Sequence, residues 1–426
     1  MNTVFLGAVL VAFVVAGYRQ IVEIPVAGTA TPMDALGLAM IDAAKGSVTL
    51  AIGLVGVMAL FLGLMKVAEA GGLLTIIART VRPLMVRLFP DVPPDHPAMG
   101  AMILNISANV LGLGNAATPF GIRAMQELDR LNPHKGTATN AMVMFLAINT
   151  SSVTLLPTGV IALRASAGSI DPAGILPTTL FATICSTTVA ILAVKLYQRF
   201  AAPSGPATAS GDGAALVEAD LSQEPDQPYP GWVSALALAV VAALVPLTIL
   251  YGRDIAPWII PGLMVALLGF GALRGVSVYD VFVDGARDGF NVALRIIPYL
   301  VAILVAVGML RQSGALELLI TPLGALTGRF GLPAEALPMA LLRPLSGSGA
   351  YGILASIIQD PATGPDTYIG YLVSTFQGST ETTFYVLAVY FGAVQIRRVR
   401  HALAAALTAD LAGIVAAVAI TAYLFG

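Results

Sequence analysis

The sequence predicts an all-α, polytopic membrane protein made of two inverted copies of one unit. Each copy is expected to hold a re-entrant helical hairpin and an interrupted transmembrane helix. Three observations predict this. Of 426 residues, 57% are hydrophobic and only 11% charged, and mean hydropathy is +0.85, whereas a soluble domain carries about a quarter charged residues. Each half has two polar, glycine- or serine-rich strings inside apolar stretches, in the same order. The basic residues also divide unequally between the two sides that this arrangement creates.

Along the chain, residues 1–17 read as a short first helix. No basic residue precedes their apolar run, as a cleaved leader would need. Spanning segments follow near 47–66, 138–163, 174–199, 231–250, 257–273, 289–310, 367–394 and 401–425. Two further apolar stretches, 97–122 and 336–357, are broken by small and polar residues. The first contains Asn105, Ser107, Asn109, Gly112, Gly114 and Asn115, and the second contains Pro344, Ser346, Gly347, Ser348 and Gly349. A helix interior loses ~1 kcal/mol per glycine and ~3 per proline relative to alanine, so both stretches are expected to enter the membrane and leave on the same side. Residues 201–230 are rich in Pro, Gly, Ser and Ala and then acidic, as expected of a flexible cytoplasmic linker between units 1–200 and 231–426.

Aligning the halves supports duplication. Pro97 to Ser107 matches Pro338 to Ser348 without a gap. Asn149-Thr-Ser-Ser-Val-Thr154 matches Gln377-Gly-Ser-Thr-Glu-Thr382 after the offset falls from 241 to 228, an insertion of 13 residues in the first half. If the hairpins do not cross, five crossings separate the two units, and an odd number inverts the second copy. With the N-terminus and linker cytoplasmic, only Arg19, Lys45, Arg164, Arg253, Arg311, Arg329 and Arg343 fall outside. That leaves 15 of the 22 basic residues inside, the asymmetry that the positive-inside rule requires.

Polar groups in a spanning segment are costly unless they find partners or line a cavity. The candidate solute-binding residues are therefore those of the interruptions: Asn105, Ser107, Asn109, Asn115, Asn149, Ser151, Ser152 and Thr154 in the first half. Ser346, Ser348, Gln377, Ser379, Thr380 and Thr382 are their counterparts in the second. Pro157 removes a backbone hydrogen bond near Val153 and marks where the helix opens. Hydroxyls bonded back to their own turn would be the alternative. Glu381 stands alone in a segment free of other charge from Asp366 to Arg397. Arg343 is its natural partner, for ion pairing or proton coupling, and Asp410 is a third member of that set.

No metal or cofactor is expected. His96, His134 and His401 have no metal-ligand spacing, and no nucleophile–base pair suggests an enzyme. A coupling ion, H+ or Na+, is the exception left open. Net charge of −2 gives no case for nucleic acid. The expected partners are the lipid bilayer, a small polar solute and, as an open alternative, further copies of the chain.

Phe89-Pro-Asp-Val-Pro-Pro-Asp-His-Pro-Ala-Met-Gly100, Gly112-Leu-Gly-Asn-Ala-Ala-Thr-Pro119 and Asn149-Thr-Ser-Ser152 closely resemble the bacterial spore maturation protein A family. Leu337-Pro-Met-Ala-Leu-Leu-Arg-Pro-Leu-Ser-Gly-Ser-Gly349 and Gln377-Gly-Ser-Thr-Glu-Thr-Thr-Phe-Tyr385 resemble spore maturation protein B. The resemblance implies a fusion of two gate, or nucleoside-recognition, domains in the bacterial inner membrane. Such domains are similar to those of concentrative nucleoside transporters and of the ferrous-iron transporter B family. It also implies either a transporter of a small polar solute, nucleoside-like or related to the envelope, or a non-transporting scaffold of spore-cortex-type maturation.

Overall fold

A computed structural model describes residues 2–23, 30–112, 117–151, 153–200 and 229–426. Asn115, Ser152 and residues 201–228 of the linker lie outside the described residues. Sixteen helices account for most of what is described. In the first half they are α1 (Asn2–Val22), α2 (Pro32–Ala70), α3 (Leu73–Leu88), α4 (Pro97–Val110), α5 (Ala117–Arg130), α6 (Asn140–Thr150), α7 (Thr158–Ser166) and α8 (Leu176–Tyr197). The second half has α9 (Gly231–Leu273), α10 (Val278–Ser313), α11 (Ala315–Thr327), α12 (Leu337–Leu342), α13 (Gly347–Gln359), α14 (Tyr368–Ser379), α15 (Thr383–Val386) and α16 (Ala402–Phe425). A π-turn, Leu387–Phe391, continues α15. Among the described residues α1, α2, α8 and α16 are long and apolar enough to cross a membrane.

The duplication extends to chain geometry. α2 and α3 join at Gly72 (φ +83°), and α10 and α11 join at Gly314 (φ +79°). This left-handed conformation is one that glycine adopts without strain. α3 and α11 each carry an internal proline, Pro83 and Pro322. Thr139 caps α6 by accepting from the Met142 amide, and Thr367, 228 positions on, caps α14 by accepting from the Gly370 amide. Such a cap contributes ~1 kcal/mol.

Orientation follows from the seam between the equivalent helices α2 and α10. Gly63 lies against Phe282, Gly285 against Leu62, Gly289 against Ala59 and Gly308 against Ala43. Positions descend in one helix as they ascend in the other, so the two copies are inverted. Close approach explains the glycines, since a methyl on Gly289 would sit 2.6 Å from the Ala59 Cα.

The hairpin arms are too short to cross. At 1.5 Å per residue, the 14 residues of α4 and of α5 each reach ~21 Å, against a hydrocarbon layer of ~30 Å. The ungapped match of Ser107 with Ser348 does not survive in three dimensions. Ser107 lies inside the first arm, α4, whereas Ser348 opens the second arm, α13. The extra residues of the first half therefore lengthen its first arm and turn.

Four other boundaries shift. α10 begins at Val278 rather than 289, with Asp284, Arg287 and Asp288 on exposed positions. α1 runs to Val22 rather than residue 17, a full ~32 Å, because Arg19 ends it in an ion pair with Glu23 at 2.6 Å. α2 begins at Pro32 rather than 47, since Asp34, Asp42 and Lys45 all fall on exposed positions. The segments 231–250 and 257–273 are joined in α9, whose ends nevertheless return to one corner of the fold. The Tyr229 amide donates to the Arg79 carbonyl at 3.4 Å, and the Phe270 ring abuts Gly71. Gly71 and Arg79 are ~12 Å of helix apart, whereas a straight α9 would hold its ends ~64 Å apart. α9 therefore doubles back.

Two interlocking contacts join the halves at opposite ends of the broken helices. At one end the Ala138 amide donates to the Arg398 carbonyl at 3.0 Å, and Arg400 reaches the Ala138 carbonyl and Asn140 Oδ1. At the other end Arg164, at 0% exposure, pairs with Asp366 at 3.1 Å. Arg164 also donates to the Pro365 and Asp171 carbonyls and stacks over the Tyr371 ring. The α6–α7 pair runs from the first latch to the second, and the α14–α15 pair runs back.

Candidate functional site at the helix breaks

α6 ends at Thr150 with Ser151 as its C-cap, and helix resumes only at Thr158, directly after Pro157. α14 ends at Ser379, and Thr380 and Thr382 are extended before α15. Both interrupted helices are therefore present. Their breaks meet: the Glu381 amide donates to the Thr150 carbonyl at 2.8 Å. Each hairpin also docks on the break of its own half. The Leu155 amide donates to the Val110 carbonyl at 3.0 Å, and the Phe384 amide donates to the Pro344 carbonyl at 3.1 Å. Backbone groups released by the breaks are thus largely reclaimed by neighbouring backbone, as a lipid setting requires.

Around this junction the polar side chains form two groups. In the first, Asn109 Nδ2 donates to Asn149 Oδ1 at 2.9 Å. Asn105 Nδ2 donates to the Ala117 carbonyl and to the Tyr390 hydroxyl at 3.1 Å, and that hydroxyl donates on to Asn149 Oδ1 at 3.4 Å. Tyr390 comes from the other half. Nothing in the sequence marked it beyond an aromatic ring in an apolar run, and the cross-half bond exists only in three dimensions.

The second group centres on Arg343, at 5% exposure. Its Nη1 donates to Thr382 Oγ1 at 2.9 Å and its Nη2 donates to the Thr380 carbonyl. Glu381 Oε2 lies 3.7 Å from Nη2, so the expected partnership is present, with the Glu381 side chain 49% exposed. Thr383 Oγ1 donates to Asp410 Oδ2 at 2.7 Å. Asp410 and Arg343 line a void of about 10 Å3 together with Ser379 and Thr380.

Several predicted residues take other roles. Ser107, Ser151 and Ser379 donate to carbonyls of their own helices, at 2.7, 2.8 and 3.2 Å. Ser346 caps α13 by accepting from the Gly349 amide, and Ser348 is exposed. Thr154 is half-buried within the first break. Gln377 leaves its buried Oε1 without a partner. The larger space beside the first break is apolar, about 550 Å3, and is lined by Leu84, Ile106, Val110, Val153, Leu155 and Ile191. The hydroxyls of Ser107, Ser151 and Ser379 are thus spent inside the protein. Among the described residues no cluster could hold a metal ion.

With this geometry in view, comparison with known proteins settles the lineage. A family model described as "Gate: Nucleoside recognition" matches residues 51–167 and again 293–397. The chain belongs to the gate, nucleoside-recognition family. Both matches contain a hairpin and a broken helix. Spore maturation protein A of Bacillus subtilis is 48% identical over 154 residues, 36% of this chain and 79% of that protein. Spore maturation protein B of the same organism is 46% identical over 167 residues, 39% of this chain and 93% of that protein. The chain is consistent with a fusion of an A-like and a B-like unit. Inner membrane protein YjiG of Escherichia coli K12 is 34% identical over 95 residues, 22% of this chain and 62% of that protein. The gate-family chain is a membrane protein, and the relatives named here are bacterial.

Proposed function

We propose that this gate-family protein moves a small polar solute across the bacterial cytoplasmic membrane by alternating access at the junction of its two broken helices. The observation that carries the reading is the hydrogen bond from the Glu381 amide to the Thr150 carbonyl. It joins two helix interruptions of opposite direction, the arrangement in which inverted-repeat transporters place their solute. The latch at Arg164–Asp366 and the latch at Ala138–Arg398 lie at opposite ends of the same broken helices, so opening one at a time would expose the junction to one side at a time. In this reading the units are 1–200 and 231–426, with the N-terminus and the linker in the cytoplasm. The junction offers Asn109, Asn149, Gln377, Thr380 and Thr382 to a solute rich in hydroxyl and amide groups.

The family's description suggests nucleosides as the first probes, and the resemblance to spore-cortex maturation proteins adds envelope sugars. Thermal stability of the purified protein is measured with uridine, adenosine, N-acetylglucosamine and muropeptides, because a ligand of the folded form raises stability with its concentration. Counterflow of the stabilising compound in proteoliposomes then follows. Exchange by the wild type that Thr382→Val impairs is the expected result, and no stabilisation and no exchange with any probe would sink the reading.

A second reading, a non-transporting scaffold of envelope maturation, draws on the hydroxyls satisfied within their own helices and the void of only about 10 Å3. Thr380→Cys, in a Cys185→Ser background, separates the two. A small aqueous thiol reagent modifies it in membranes if the junction opens and spares it in a static scaffold.

A further inference from the structure

Asp410 lies in the last helix at 3% exposure. Its Oδ2 accepts from Thr383, while its Oδ1 is buried without any hydrogen-bond partner. The cation facing it across the small void, Arg343, is engaged elsewhere. Both of its terminal nitrogens serve the α14–α15 break, and its ion pair is with Glu381. Arg343 Nε is itself buried and unpartnered.

The other elements packed on α16 bring no second charge to Asp410. α6 has no ionisable side chain. On α14, the Tyr368 hydroxyl donates to the Gly331 carbonyl and Tyr371 stacks on Phe425. On α8, Lys195 is exposed, the Tyr197 hydroxyl pairs with Thr408, and the half-buried thiol of Cys185 is the remaining titratable group. Beyond the second break, Tyr385 is exposed and Tyr390 serves Asn105 and Asn149.

A carboxylate in that position would have no direct ion pair and no second donor, and binding a proton costs less than burying such a charge. We infer that Asp410 is a proton-binding site, filled while Arg343 is held at the α14–α15 break and emptied to water when the break releases Arg343. A guanidinium freed from Thr380 and Thr382 requires a new anion, and the Asp410 carboxyl is the acidic group across the void. Its arrival favours the ionised carboxyl and expels the proton. The guanidinium on the same void disfavours Na+ as the bound ion. The site belongs to the second half alone, because at the same offset of 228 the first half has Ala182 and Leu155 in place of Asp410 and Thr383.

This inference deepens the transport reading by naming the coupled ion, and it moves the role from the half-exposed, paired Glu381 to Asp410. Its test does not require transport. The full chain in liposomes is titrated by infrared difference spectroscopy, which reads the carbonyl stretch of a protonated carboxyl. The expected band rises and falls with pH in the wild type, persists in Glu381→Gln and vanishes in Asp410→Asn. A wild type without the band, or a band lost in Glu381→Gln and kept in Asp410→Asn, overturns the inference. If Asp410→Asn does not fold, Thr383→Val decides: removing the donor on Oδ2 must shift the band, and an unshifted band overturns the assignment. A titrating band without solute exchange would count against transport alone, and exchange without the band against this site alone.

Discussion

At the scale of single residues, the junction depends on a few buried polar side chains whose loss leaves others stranded. Arg343→Met removes two hydrogen bonds from a charged donor and orphans the Thr380 carbonyl. Breaking such a buried set costs about 2–4 kcal/mol, measurable as a lowered midpoint of unfolding in mixed micelles. Tyr390→Phe removes one hydroxyl from the Asn105–Asn149 bridge and costs about 1 kcal/mol. His401, the N-cap residue that precedes the spanning helix α16, contributes a pH dependence. Burial and the adjacent Arg400 push its imidazole below the ordinary value, and neither ring nitrogen has a partner. The unfolded chain therefore takes up the proton first, so stability is complete above about pH 6.5, the free-imidazole value, and drains as pH falls below it. Unfolding midpoints at about pH 5.5 and 7.5 check this, and His401→Phe should flatten the difference. Arg343 and Glu381 were legible as a pair because an intramembrane charge needs a partner. Tyr390 and Arg164 were not, because their partners lie more than 200 residues away.

Among the secondary-structure elements, interruptions could be read from sequence more readily than continuations. Proline, glycine and hydroxyl clusters announced both hairpins and both broken helices, since each of these residues disfavours helix by its own chemistry. α2 and α10 start ahead of their apolar stretches because helix continues wherever charged side chains can point outward. The hairpins' single-sided entry is testable. In a Cys185→Ser background, cysteines at Asp95 and at Leu131 flank α4 and α5, and an impermeant maleimide should label both from the same face of the membrane. Labelling from opposite faces would mean that the stretch crosses. The α2–α10 seam is equally specific. Gly289→Ala places a methyl against backbone, and overpacking of this kind costs about 1–3 kcal/mol, read as loss of thermal stability.

For the whole molecule, the halves hold one another through the α2–α10 seam, the α8–α16 pair, the two latches and the meeting breaks. The Ser186 hydroxyl of α8 donates to the Ala409 carbonyl of α16 at 2.9 Å, and the hydroxyls of Thr178 and Thr375 are hydrogen-bonded at 2.7 Å. None of these contacts needs residues 201–228. Residues 1–200 and 229–426 expressed as separate chains should therefore copurify through a tag on either one. Failure to copurify, with each piece folded, would show that the connection itself holds the assembly.

Joining the pieces still has a consequence for which partner each one finds. Because α2 and α10 descend from one helix, either piece presents a surface on which a duplicate of itself is a competitor. A tether that spans the gap keeps the intended mate at an effective concentration of ~mM, far above that of any duplicate diffusing in the same bilayer. The fusion thereby fixes a one-to-one stoichiometry and an asymmetric pair, so the chemistry unique to the second piece occurs once per molecule.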